Sequence, residues 1–309
     1  LPISADEPEI ASYSIDTTLK LSSDRKTRGV SDTFGRPGAE LTVEFAHESG
    51  LFGQFQLGSV SRVNYPESNR LNPMLALGWR GGDPSALHYG VAAAREWFPR
   101  ARVRGAPTGF DENFEPTGVA DTSFHTSYLV GELGWGYLTA RYLHVVSRDF
   151  RGANTSTICP SYLASDMAAA LDCYGQGMRH SRGTQFLDLD LAYPLNGSTK
   201  LIGHLGWQKV RNFRGMDTMD YRLGLEHTRW GVVFGAEVAG AKVRDRAPFV
   251  AVDEGGTARR VVSRRSCCHR RCRRRCSTRC RRTSPGPARR ARCRAHARAG
   301  DRTLSPGAG

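Results

Sequence analysis

Charged side chains at alternate positions, rather than a catalytic constellation, carry what chemistry this chain offers. Eleven of them are candidates to line a polar interior: Lys20, Glu44, Arg80, Glu132, Arg141, Asp188, Asp190, Lys200, Arg222, Glu226 and Glu237. Adding Asp16, Glu40, Glu96 and Asp220 gives ten acids against five bases, which predicts a mild preference for cations. Reaction chemistry is not expected. The chain has no Gly-rich phosphate loop, no HExxH and no nucleophile elbow. His47, His88, His125, His144, His204 and His227 are scattered singly over separate segments. No enzyme activity and no cofactor or metal are therefore predicted.

Cysteines divide into two groups. Cys159 and Cys173 stand 14 apart in a long polar stretch and are a candidate disulfide, the alternative being two free thiols. Cys267, Cys268, Cys272, Cys276, Cys280 and Cys293 crowd the C-terminus beside His269. They lack a second distant pair and a hydrophobic framework, so a zinc site is not expected.

The elements that position the charges repeat with period two, not 3.6. Tyr13, Ile15, Thr17, Leu19 and Leu21 alternate with Ser14, Asp16, Thr18, Lys20 and Ser22. Leu187, Leu189, Leu191 and Tyr193 alternate with Asp188, Asp190 and Ala192. Further alternation lies around 39–47, 54–57, 75–80, 86–98, 124–135, 138–148, 199–208, 219–228 and 231–241, which predicts eleven strands in all. Their connections alternate too. Short turns fall at His47–Gly50, Gly81–Ser85, Trp135–Tyr137, Leu195–Ser198 and Arg229–Gly231. Long polar loops occupy 24–38, 60–73, 98–122, 149–184 and 209–218, with a short helix expected over Ala164–Leu171.

A soluble sandwich has no reason to keep this rhythm. A membrane barrel does, with short turns on one side and long loops on the other. In hydrocarbon a sheet can span only by closing on itself, because each backbone amide needs a partner. The expectation is thus an all-β, antiparallel up-and-down transmembrane barrel of about twelve strands over 1–256, its apolar face toward lipid. Trp79, Trp97, Trp135, Trp207 and Trp230 fall at strand ends, where two aromatic girdles would sit. No stretch approaches the roughly 20 consecutive apolar residues of a spanning helix. Nor is there an initiator Met or a signal peptide, so a secretion signal is expected to have been removed or truncated.

The first hairpins carry a more specific signal: Ser23-Asp24, Arg28-Gly29-Val30-Ser31, Pro37 and His47-Glu48-Ser49-Gly50. This pattern resembles the TorF family of outer-membrane proteins, which are assigned as porins. The likeness covers 13–256, most specifically in the first loop. Arg25-Lys26-Thr27 stand where aromatic residues are usual in that family, and the family's terminal aromatic is missing. The resemblance implies a bacterial outer-membrane location, outer-membrane lipid and the barrel-assembly machinery as partners, and a pore for small polar solutes or ions. The alternatives are a structural or adhesive barrel without a pore, or a basic nucleic-acid-binding protein acting through its tail.

That tail, 257–309, is a separate low-complexity segment. Of 44 basic and 30 acidic residues, 18 arginines and one acid, Asp301, fall within it, leaving 26 basic against 29 acidic before it. The net charge of +14 therefore belongs to the tail alone. Without aromatic side chains to stack bases, specific nucleic-acid recognition is not expected. Its Arg, Cys, Ala, Gly, Pro and Ser are the vocabulary of GC-rich codons read out of frame. The prediction is a frameshift near 256–264 that replaced the twelfth strand with a disordered extension, and resequencing the gene tests it.

Overall fold

The computed structural model describes residues 12–83, 85–163, 165–252 and 258–260. It is all-β in its main architecture. Eleven antiparallel strands follow one another in space as in sequence: β1 (Tyr13–Ser22), β2 (Gly38–His47), β3 (Leu51–Ser59), β4 (Leu71–Gly82), β5 (Leu87–Glu96), β6 (Thr126–Trp135), β7 (Leu138–Val145), β8 (Gln185–Asn196), β9 (Thr199–Lys209), β10 (Thr218–Arg229) and β11 (Val232–Val243). These are the eleven segments that alternation predicts. The up-and-down connectivity puts the short turns 48–50, 83–86, 136–137, 197–198 and 230–231 at one end, and every long loop at the other.

Local chemistry fixes the tightest turns. Trp230 (φ 54°) and Gly231 (φ 74°) are both left-handed. A two-residue turn of that type matches the right-handed twist of the strands it joins.

The period-two pattern sorts side chains cleanly because directly paired residues share a face. One row runs Tyr142–Leu187–Trp207–Met219–Lys242 across β7 to β11. The row nearer the turns runs Ala140–Leu189–Leu205–Tyr221–Gly240. Six residue steps from Trp207 to Leu201 make an apolar band about 20 Å tall at about 3.4 Å per residue. This face is open: Leu21 is 75 % exposed, Val238 70 %, Trp135 76 % and Trp230 80 %.

The buried core lies elsewhere, at the loop end. Tyr128, Val145 and Phe186 point inward from their strands and pack with Phe150, Ala153, Ile158, Val210 and Phe213 from the loops. Val60, Tyr65, Phe98, Ala101 and Phe124 form a second cluster. The long loops carry secondary structure of their own. Residues 98–122 largely form a hairpin, Arg102–Phe110 with Pro116–Ser123, interrupted by register shifts around Pro107 and Gly109 that hide it from an alternation test. A helix spans Met167–Gly175 and not Ala164–Leu171, because the Asp166 side chain accepts the Ala169 N–H and so sets its start.

The sheet curls but is not closed by a hydrogen-bonded ladder among the described residues: β1 and β11 are its two edges. Contact between the two ends of the sheet is made by a loop instead. A Cβ on Gly29, in the loop after β1, would lie 2.8 Å from the Ala241 Cβ on β11. Residues 258–260, near which a twelfth strand is expected, pair with Val250–Val252 and not with either edge. The remainder of the predicted tail, with its six cysteines, lies outside the described residues.

Candidate functional site: the charged interior

The inner face of the sheet encloses a cavity of about 930 Å3. Its charged lining comes from five arginines, Arg25, Arg28, Arg80, Arg141 and Arg151, and five carboxylates, Asp32, Glu44, Glu96, Glu132 and Asp188.

Starting beside the turns and rising toward the loop end, the charges of this interior form a ladder from strand to strand. Arg80 Nη1 donates to Glu44 Oε1 at 2.6 Å and its Nε lies 3.7 Å from Glu132 Oε1. Arg141 bridges Glu132 at 2.6 Å and Asp190 at 2.9 Å. His204 continues the chain, 2.8 Å from Asp190 and 3.0 Å from Asp220. Its ring sits between two carboxylates, and Asp220 is only 2 % exposed. Gly206 makes this possible: a Cβ there would lie 2.5 Å from Asp220 Oδ1 and 2.9 Å from His204 Nε2. Register explains the sequence spacing, since Glu132 faces Arg141, Arg141 faces Asp188, and Asp190 faces His204.

Toward the loop end the interior is crossed by side chains that the strands do not supply. Arg28 (φ 51°) reaches Asp188 with two parallel hydrogen bonds of 2.5 and 2.7 Å, over the Phe186 ring at 4.3 Å. Arg151, from the loop after β7, makes two hydrogen bonds to Glu96, at 2.6 and 3.0 Å. It also donates to the Tyr65 hydroxyl at 3.2 Å and to Asp32 at 3.3 Å. Arg25 is buried against Asp32 at 2.8 Å and Glu40 at 2.9 Å. Paired, planar guanidinium–carboxylate contacts of this kind are the strong form of ion pair. Burial alone would lower the Arg151 pKa, but Glu96, Tyr65 and Asp32 raise it well above the ordinary arginine value. Burial likewise pushes the Tyr65 hydroxyl up. At neutral pH both groups stay protonated, as these contacts require.

Eight of the eleven candidate interior residues therefore meet a charged partner: Glu44, Arg80, Glu132, Arg141, Asp188, Asp190, and Arg222 with Glu237 at 3.9 Å. Lys200 stands directly opposite Glu226, and Lys20 opposite Glu40, in the strand register. Alternation missed Arg25, Arg28 and Arg151 because loops carry them. They also supply three of the five arginines that face five carboxylates across the cavity wall. Alternation put Asp220 on the inner face, but gave no sign that His204 would stand between it and Asp190.

Trp79, Trp135, Trp207 and Trp230 are all exposed beside strand ends. Trp97 is half-buried just past β5, with the Arg95 guanidinium 5.7 Å from its ring. Cys159 and Cys173 form a disulfide with a Cα separation of 5.6 Å, packed with Tyr174 and Phe110. Among the described residues no cluster of His, Cys, Asp and Glu suits a metal ion. No helix among them is long and apolar enough to cross a membrane.

No curated protein and no solved structure matches the chain. One family model does, over residues 6–262. The curled eleven-stranded sheet with its ion-paired inner face is thus the structure of a member of the bacterial family of unknown function designated Gcw_chp, to which this chain belongs.

Proposed function

We propose that the chain is an outer-membrane protein whose curled sheet sets its apolar face against lipid and its charged face around a narrow polar passage for small solutes or ions. One observation carries this reading: exposed leucines and aromatics occupy the outer face of strand after strand, while the inner face is ion-paired. A contiguous apolar band of this size on a water-soluble monomer would be an aggregation hazard. Hydrocarbon is the solvent that suits it. Closure into a barrel is part of the proposal, and the first loop resting on β11 supports it. The likeness of the first hairpins to TorF porins points the same way.

A second reading is a structural barrel without conductance. It is favoured by Arg28 and Arg151, which cross the interior to Asp188 and to Glu96 and Asp32. Two measurements separate these. Detergent-dependent extraction with heat-modifiable gel mobility is expected on either, and its absence would remove both. Single-channel recording of the refolded full chain is expected to show small conductance steps. Silence in the wild type and in Arg28→Ala alike leaves only the structural reading.

A further inference from the structure

On the outer face at the loop end, a groove of about 650 Å3 lies over β7 to β11. Its floor is the row Tyr142–Leu187–Trp207–Met219, and its rim is basic: Lys209, Lys242 and Arg244. Lys209 stands one row nearer the loops than Trp207, and Lys242 ends the Trp207 row on β11. Arg244 lies 3.7 Å from Asp217, which is the groove's one acid. Gln185, Lys209 and Arg244 are shared with a second cleft of about 860 Å3 nearer the loops. That cleft adds Arg179, Arg211 and Arg214 against Asp172 and Asp245. Together the two hollows are lined by six basic and three acidic side chains, and the groove has an apolar floor.

We propose that groove and cleft form one binding site for a phosphate-bearing lipid of the outer leaflet. An acyl chain lies on Leu187, Trp207 and Met219, and the phosphate is held by Lys209, Lys242 and Arg244. The proposal rests on the outer-membrane reading, which puts the floor in hydrocarbon and the rim at headgroup level. Charge complementarity selects an anionic lipid: long basic side chains lay their stems on apolar surface and present their charge at the interface. A soluble anion would have no use for the apolar floor, and a zwitterionic lipid none for the net positive rim.

The test is native mass spectrometry of the full chain released from neutral micelles. Phosphatidic acid, phosphatidylcholine of the same chains and glycerol 3-phosphate are offered at equal concentration. Retention of phosphatidic acid alone is expected. Substituting Lys209→Gln, Lys242→Gln and Arg244→Gln together should weaken it at least about tenfold, since a basic side chain near an anionic surface is worth about a factor of five. Trp207→Gln should shorten retention from the chain side, and Arg104→Gln, on the hairpin after β5 and outside both hollows, should change nothing. Where the triple variant lacks heat-modifiable mobility, Lys242→Gln alone carries the comparison with a smaller loss. Undiminished retention in these variants, or equal retention of phosphatidylcholine or glycerol 3-phosphate, overturns the site. Flotation of the wild type with phosphatidylcholine vesicles separates the two failures. If it floats and the variants still hold lipid, the site alone falls; if it does not float, the membrane reading falls and takes the site with it.

Discussion

The two ends of the sheet solve the problem of buried charge in opposite ways. Beside the turns the Arg80–Glu44 pair is wet, its side chains 41 % and 31 % exposed, and both belong to strands. At the loop end such pairs are nearly dry. Asp32 and Glu96 are 3 % and 5 % exposed, and the arginines that neutralise them, Arg25 and Arg151, come from loops. A strand side chain in water can give up its partner at little cost, whereas a dry carboxylate cannot. Breaking a pair should therefore cost more among the loop arginines than beside the turns.

Breaking the driest pair should have the largest effect. Glu96→Ala takes from Arg151 its two shortest hydrogen bonds, leaving it Asp32 and the Tyr65 hydroxyl, and deprives the Tyr128 hydroxyl of its 3.0 Å acceptor. A loss of about 3–5 kcal/mol is expected in urea unfolding of the folded protein in micelles. A loss below about 1 kcal/mol would show that water reaches this end too. Removing the Cys159–Cys173 disulfide by a double Ser substitution should cost about 3 kcal/mol for a loop of this length. It should also open residues 149–184 to proteolysis while leaving the sheet intact.

Gly206→Ala tests the ladder's tightest point. The added methyl must displace Asp220 from His204, at a cost of about 1–3 kcal/mol if the strands do not yield. His125, just before β6, offers a pH handle at the loop end. Its Nδ1 accepts the Phe98 N–H at 3.1 Å, and burial, then Arg95 and Arg102, lower its pKa from 6.5. The folded state thus binds fewer protons than the unfolded one below 6.5. This contribution to stability should be whole above that pH and decline as pH falls from 6.5 toward the lower folded value. His125→Gln should flatten that part of the profile. Smallest of all, Glu44→Gln at the wet end should cost less than about 1 kcal/mol. A larger loss would erase the contrast between the ends.

All eleven strands, the alternation of short and long connections and the sorting of charges from leucines follow from hydrophobic period and turn chemistry, which are local properties. Glu132, Arg141 and Asp190 could be put on one face from sequence because a strand turns each second side chain the same way. Their pairing in one ladder needed the register. Arg28 and Asp188 could not be linked at all, being 160 residues apart with one partner in a loop. The hairpin at Arg102–Phe110 escaped detection because shifts of register break the very periodicity that reveals a strand.

The residue pattern by itself thus determined which side chains share a face and which end of the sheet carries the loops, since a pleated strand leaves no choice in either. Tertiary structure alone decided that loop arginines enter the interior and face its carboxylates. Where a loop folds back is set by long-range packing, and a loop side chain has no period from which its direction can be read.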